Sequence, residues 1–229
     1  MNAGKVFLII VSVLIFFIGV GLIVGGGALM WSNNFLRDSE GYYSTKAVDI
    51  ERDSYGITTY PAHINFGPGW VFNWSDLVKV KLSASDNKGK GTFIGIAEEE
   101  KLMDYLSGVA YDEITKFDMD YPFGSTRIDY REFPGEAPDE VPENKDFWAA
   151  SKAGGGKQVL RWGIEEGTYS IAVMNQDASR GLDISGSIGV KIPVMGGLGI
   201  GLAVGGLVAL LLSFFLVYLA VTRSRISED

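Results

Sequence analysis

The chain contains no cysteine and a single histidine, His63. Without thiols there is no disulfide, no thiolate metal site and no thiol redox chemistry, so any exported part must be held by its own core. One histidine leaves a Ser-His-Asp triad dependent on His63, yet Pro61-Ala-His-Ile-Asn65 carries no nucleophile-elbow pattern. A zinc ion there would need two or more carboxylate partners. Cationic charge is also scarce: Lys and Arg number 20 against 28 Asp and Glu, a net charge of −8. Phosphate backbones are bound by clustered Lys and Arg, which this acidic chain lacks, so nucleic acid is excluded as a partner.

Charge is missing altogether from two long stretches. Val6 to Trp31 runs 26 residues and Val194 to Val221 runs 28 residues without a charged residue. About 20 apolar helical residues cross a bilayer core of about 30 Å, so each stretch predicts a membrane span. The first is too long for the hydrophobic part of a cleaved signal peptide, although Gly25-Gly-Gly-Ala28 has the small residues of a cleavage region. The spans contain no Asp, Glu, Lys, Arg or His of the kind that marks ion pathways, which argues against transport by this chain alone.

The predicted organisation is a cytoplasmic tail at 1–5, a first span at 6–31, an extracytoplasmic domain at 32–193, a second span at 194–221 and a cytoplasmic tail at 222–229. Lys5 precedes the first span, and Arg223 and Arg225 follow the second, which places both termini inside. A loop as long as the central segment translocates largely regardless of its charge. Its acidity should hold it away from anionic headgroups.

The central segment reads as β. Val78, Val80, Leu82 and Ala84 alternate with Lys79, Lys81, Ser83 and Ser85, a strand with one buried face. Asp86-Asn-Lys-Gly89 supplies a turn and Gly91–Ala97 a returning strand, together a hairpin. Further strands are expected at 42–50, 55–60, 125–133, 147–151, 157–164, 168–175 and 182–191, as in a β-sandwich. A short helix is expected over Glu98–Gly108 and an irregular proline loop over Phe133–Pro142.

Several patterns invite chemistry. Glu165-Glu-Gly167 reads as the solvated tip of a hairpin between 159–164 and 168–174. Adjacent carboxylates at a turn diverge, whereas glycosidase carboxylates oppose each other across a cleft. Asn175, Asp177, Ser179 and Asp183 place oxygen ligands at alternate positions, a candidate calcium loop. Arg180 stands sixth where the helix-flanked calcium pattern wants Gly, so an Asx turn with Arg180 paired to a nearby acid is the plainer reading. Asp112, Glu113, Asp118 and Asp120 form an acidic cluster read as solvated surface. Trp70 and Trp74, in Phe66-Gly-Pro-Gly-Trp-Val-Phe-Asn-Trp74, could fill the core, lie at the membrane interface or offer a partner or sugar surface.

Gly197, Gly201 and Gly205 are spaced four apart, as are Gly21 and Gly25. Small residues at that spacing let membrane helices approach closely, either within the chain or with another membrane protein or a second copy. No cofactor is implied. The expected function is an interaction or structural module of the envelope or an accessory subunit of a membrane complex, and not an enzyme. The alternative is a carbohydrate-binding or hydrolytic domain using Trp70, Trp74 and the acidic cluster.

Phe93–Ala97, Tyr105–Glu113, Phe147–Ser151, Gly163–Asn175 and Ser179–Gly181, with the glycine-rich spans, resemble a family of uncharacterised prokaryotic two-span membrane proteins along nearly the whole chain. That resemblance implies two spans with an extracytoplasmic β domain, and transfers no activity or site residue. The Gly-x-Tyr-Ser-x-x-Val run at 167–173 is also similar to small secreted β-sandwich modules that accompany bacterial enzymes.

Overall fold

The computed structural model describes residues 3–66, 78–119 and 126–222. The chain divides into two compact units, Met1–Gly41 with Ile192–Asp229, and Tyr42–Lys191.

The first unit is a pair of helices, α1 (Ala3–Phe35) and α3 (Val194–Thr222). Both are long and apolar enough to cross a membrane, and α1 continues past both ends of the charge-free run. They pack antiparallel. On α1 the buried positions are Ser12, Gly19 and Gly26. On α3 they are Gly199, Gly206, Ser213 and Ala220. Every step is seven residues, two helical turns at 3.5 residues each, so a straight seam of small residues faces the partner helix. A Cβ added to Gly26 would stand 2.6 Å from the Gly199 carbonyl oxygen, and one added to Gly206 would stand 2.6 Å from that of Gly19. Further along, Ser213 Oγ donates to the Ser12 carbonyl at 2.8 Å.

The four-residue glycine ridge is not this seam. Gly197, Gly201 and Gly205 are exposed on the helix pair, and a Cβ at any of them, or at Gly21 or Gly25, would meet nothing within 4 Å. Packing of the two spans on each other is therefore not what these glycines do. At 3.6 residues per turn, Gly197 and Gly201 lie about 160° around the helix from the seam residue Gly199, on nearly the opposite face.

The second unit is a β-sandwich of two sheets. Sheet A holds β1 (Tyr43–Ser44), β2 (Val48–Arg52), β5 (Lys79–Asp86), β10 (Gln158–Gly163) and β12 (Leu182–Lys191), with β1 and β2 both on one side of β12, then β5, then β10. Sheet B holds β3 (Gly56–Thr59), β4 (Ala62–Ile64), β6 (Thr92–Glu98), β7 (Tyr111–Met119), β8 (Thr126–Phe133), β9 (Ala150–Gly154) and β11 (Gly167–Asn175) in the order β8-β7-β3-β11-β6-β9, with β4 continuing β3 along β11. All pairings are antiparallel except β3 with β7.

Two expected hairpins are arches instead. β5 pairs with β10 and β12, while β6 pairs with β11 and β9. The turn after Asp86 thus carries the chain from one sheet to the other. The Glu165-Glu166 turn does the same, since β10 lies in sheet A and β11 in sheet B. The strand expected at 147–151 begins three residues later, and β7 occupies the segment read as acidic surface.

Leu82, Ala84 and Leu160 of sheet A meet Ile94, Ile96 and Tyr169 of sheet B in the core. On the outer face of sheet B the short helix α2 (Glu99–Tyr105) and the turn after it lay Leu102 and Leu106 against Ala97, Tyr111 and Ala172. β6 is consequently buried on both faces. On the outer face of sheet A, Tyr42 is buried beneath the amines of Lys81 and Lys191, 4.7 and 5.5 Å from its ring centroid.

Candidate functional site: an apolar slot between the sheets

The sequence-derived candidates are scattered, and most are engaged in structural bonds. Asn175 is fully buried, and its amide donates to the Ser179 carbonyl at 2.8 Å and to Ser179 Oγ and the Gly181 carbonyl at 3.2 Å. Asp177 accepts the Ser179 N–H at 3.0 Å, an Asx turn, and the Ser179 hydroxyl, with that N–H, draws the Asp177 pKa below its ordinary value. Asp183 is bound by Asn87 at 2.8 Å and by Lys88 at 3.3 Å, and Arg180 pairs with Asp53 at 3.1 Å. The loop is thus tied to itself through the Asn175 amide and the Asp177 carboxylate. Among the described residues no group of three or more His, Asp or Glu could hold a metal ion.

His63 lies on β4 with Nδ1 3.0 Å from Thr168 Oγ1 and exposed. Glu166 accepts the Phe66 N–H at 3.3 Å from its turn between the sheets. Trp70, Trp74 and Asp120 fall outside the described residues.

The acidic cluster is not uniformly solvated surface. Asp112 is 3% exposed and points into the sandwich. Arg52 of β2 grips it from the opposite sheet, Nε to Oδ2 at 3.0 Å and a terminal nitrogen to Oδ1 at 2.8 Å, and also reaches Glu132 at 2.5 Å. Burial alone would raise the Asp112 pKa. Hydrogen bonds from Arg52 and Ser54, with the Arg52 charge, outweigh it and hold the carboxyl below its ordinary range. Glu113, one residue on, faces outward toward Arg131 at 3.4 Å, and Asp118 pairs with Lys116 at 2.5 Å.

Next to this clamp the sheets enclose a cavity of about 300 Å³ whose wall is almost wholly hydrocarbon. Strand register explains it. Val48 lies beside Gly186, and Gly186 beside Ala84, in one row across the inner face of sheet A. Two of the three positions have almost no side chain. A Cβ added to Gly186 would meet only the Ser83 carbonyl oxygen, at 3.8 Å, so open space lies where its side chain would be. Ile184 and Ile50 form the next row inward, and Arg52 beside Leu182 the row behind that. Ile57, Ile114, Ile171 and Val173 line the facing sheet. At the other end Phe117 and Ile188 stand 42% and 37% exposed.

The slot thus ends inside at Ile50 and Ile184, one row short of Arg52, and has an apolar rim. Its hydroxyls do not suit water. Thr59 Oγ1 accepts the Ile171 N–H and Thr45 Oγ1 the Ile188 N–H, at 3.1 and 3.2 Å. A buried water needs two to four polar partners. The arrangement can hold hydrocarbon, and offers it no acid, base or nucleophile. The sequence signal for it was Gly186, a glycine inside a strand.

No protein-family model matches the chain, and a search of curated proteins finds no match.

Proposed function

We propose that this chain is a two-span membrane protein with both tails in the cytoplasm, whose β-sandwich stands outside as an interaction or structural module, either an envelope protein or an accessory subunit of a membrane complex. One observation carries the reading. The small-residue seam turns glycine backbone inward on both helices and sends Phe7, Phe17, Leu211, Phe214 and Val221 outward. An apolar surface of that extent is stable in lipid and a liability in water. The ridge of Gly197, Gly201 and Gly205 lies on that outer surface, where another membrane protein or a second copy could pack against backbone. The hydrolytic alternative draws no support from the acidic cluster, because Asp112, Glu113 and Asp118 each serve an ion pair.

Orientation is tested by an epitope at Asp139, in the proline loop. Protease added to intact cells should remove it; loss only after permeabilisation would overturn the topology. Assembly is tested by Gly201→Leu, which should shift the native electrophoretic mobility of the extracted protein or its complex. Unchanged mobility would remove the ridge as a partner surface.

A further inference from the structure

We propose that the slot between the sheets is a lipid-binding site that takes one hydrocarbon chain of an anionic membrane lipid. The proposal rests on the membrane-anchored reading for the source of the lipid, and on the slot alone for the chemistry.

Three features choose this occupant. First, the wall of the slot is almost wholly hydrocarbon, whereas sites for polar small molecules fix them with a few convergent donors and acceptors. Hydrocarbon is the one ligand class that asks for none. Second, the dimensions suit a single chain. From Ile188 at the rim to Ile184 at the floor is four strand residues, about 13 Å at about 3.3 Å each, close to the half-thickness of a bilayer core of about 30 Å. The volume is about twice that of an apolar cavity of about 150 Å³ known to hold benzene. The narrow gap between two packed sheets excludes a bulkier body such as a helix.

Third, charge at the rim is complementary to an anionic head. The domain is acidic, yet a cation stands at the open end of the slot. Exposed Lys46 falls between the lining residues Thr45 and Val48. Glu165 and Glu166 lie beyond β10, at the far edge of sheet A. A phosphate held at Lys46 would leave its chain free to enter between Phe117 and Ile188.

Gly186 makes the proposal testable, because its missing side chain is part of the space. The full-length protein is reconstituted into phosphatidylcholine vesicles containing phosphatidylglycerol with a photoreactive diazirine at the acyl terminus. After irradiation, labelled peptides are identified by mass spectrometry. The wild type should be labelled on its helices and, separately, on β3, β11 and β12 near Ile57, Val173 and Ile184. Gly186→Leu should remove the β-domain label severalfold or more, keep the helix label, and melt no lower than wild type. Ala84→Val, which fills the same row, should act in the same direction and serves if Gly186→Leu misfolds. Lys46→Glu should reduce the β-domain label from phosphatidylglycerol, and excess unlabelled phosphatidylglycerol should compete better than phosphatidylcholine.

Label on the helices alone would overturn the lipid site and leave the anchored reading standing. Label on neither would overturn the anchored reading first. β-Domain label that persists unchanged in folded Gly186→Leu and Ala84→Val would overturn the site, as would crosslinking of the slot in native membranes to a protein rather than to lipid.

Discussion

Gly26 of α1 and Gly199 of α3 are in backbone contact: a Cβ on the first would stand 2.6 Å from the carbonyl oxygen of the second and 2.7 Å from the Ala203 nitrogen. Close backbone approach of this kind is the main source of attraction between helices where lipid replaces water. The absence of native cysteine allows a direct readout. Ser12→Cys with Ser213→Cys should crosslink readily, since the two serines already share a hydrogen bond. Gly206→Leu should abolish that crosslink, while Gly201→Leu should leave it intact. Equal loss in both would assign the seam wrongly.

The Arg52–Asp112 clamp predicts an acid-sensitive domain. The folded carboxyl titrates below the ordinary value of 3.8, so its contribution is complete above about pH 4 and is lost as the pH falls through the folded pKa. Arg52 remains charged throughout. Asp112→Asn should cost about 1–3 kcal/mol at neutral pH by removing the buried carboxylate and leaving the guanidinium with Glu132 alone. It should also flatten the decline in melting temperature below about pH 4. A variant with the wild-type acid slope would refute the assignment.

Trp148 lies over Gly95, and its ring occupies the space where an alanine Cβ would go. The indole is held there by Nε1 donating to the Pro142 carbonyl at 2.8 Å and by Phe93, 4.9 Å away between centroids. Gly95→Ala should destabilise by about 1–3 kcal/mol through overpacking. In a Trp148→Ala background the same change should cost less, the remainder coming from Phe93, 2.8 Å from the same Cβ. Thermal melts of the four proteins give the coupling directly.

Removing the Asn175 amide breaks three bonds in a fully buried position. Asn175→Ala should cost about 1–3 kcal/mol, and Asp177→Ala distinctly less, since Asp177 closes an exposed turn. Calcium should leave the melting temperature unchanged, because Asp183 is bound by Asn87 and Lys88 and Asp177 by its own Asx turn. A calcium-dependent rise would restore the loop as a metal site.

The two helices, the strand segments and the turn positions were legible in the amino-acid sequence because each is a local property. A charge-free run of 26 residues has few alternatives to helix. The alternation at Val78–Ser85 suits a strand with a buried face wherever that strand ends up. Partnership is not local. Asp86–Gly91 and Glu165–Gly167 have the same turn chemistry whether the chain returns within one sheet or crosses to the other. Only the rows of inward side chains, satisfied across the sandwich, select the arch. β7 escaped notice for two reasons. A bulge between Ile114 and Lys116 breaks its period of two, and the charge of Asp112 is neutralised by an arginine sixty residues earlier. Gly201 and Gly206 are equally small, and only the opposing helix makes one of them a contact. The slot lies furthest from the sequence. Gly186 reads as a weak point in a strand until Val48 and Ala84 close around it and sheet B faces it, since a cavity is defined by the atoms that surround it.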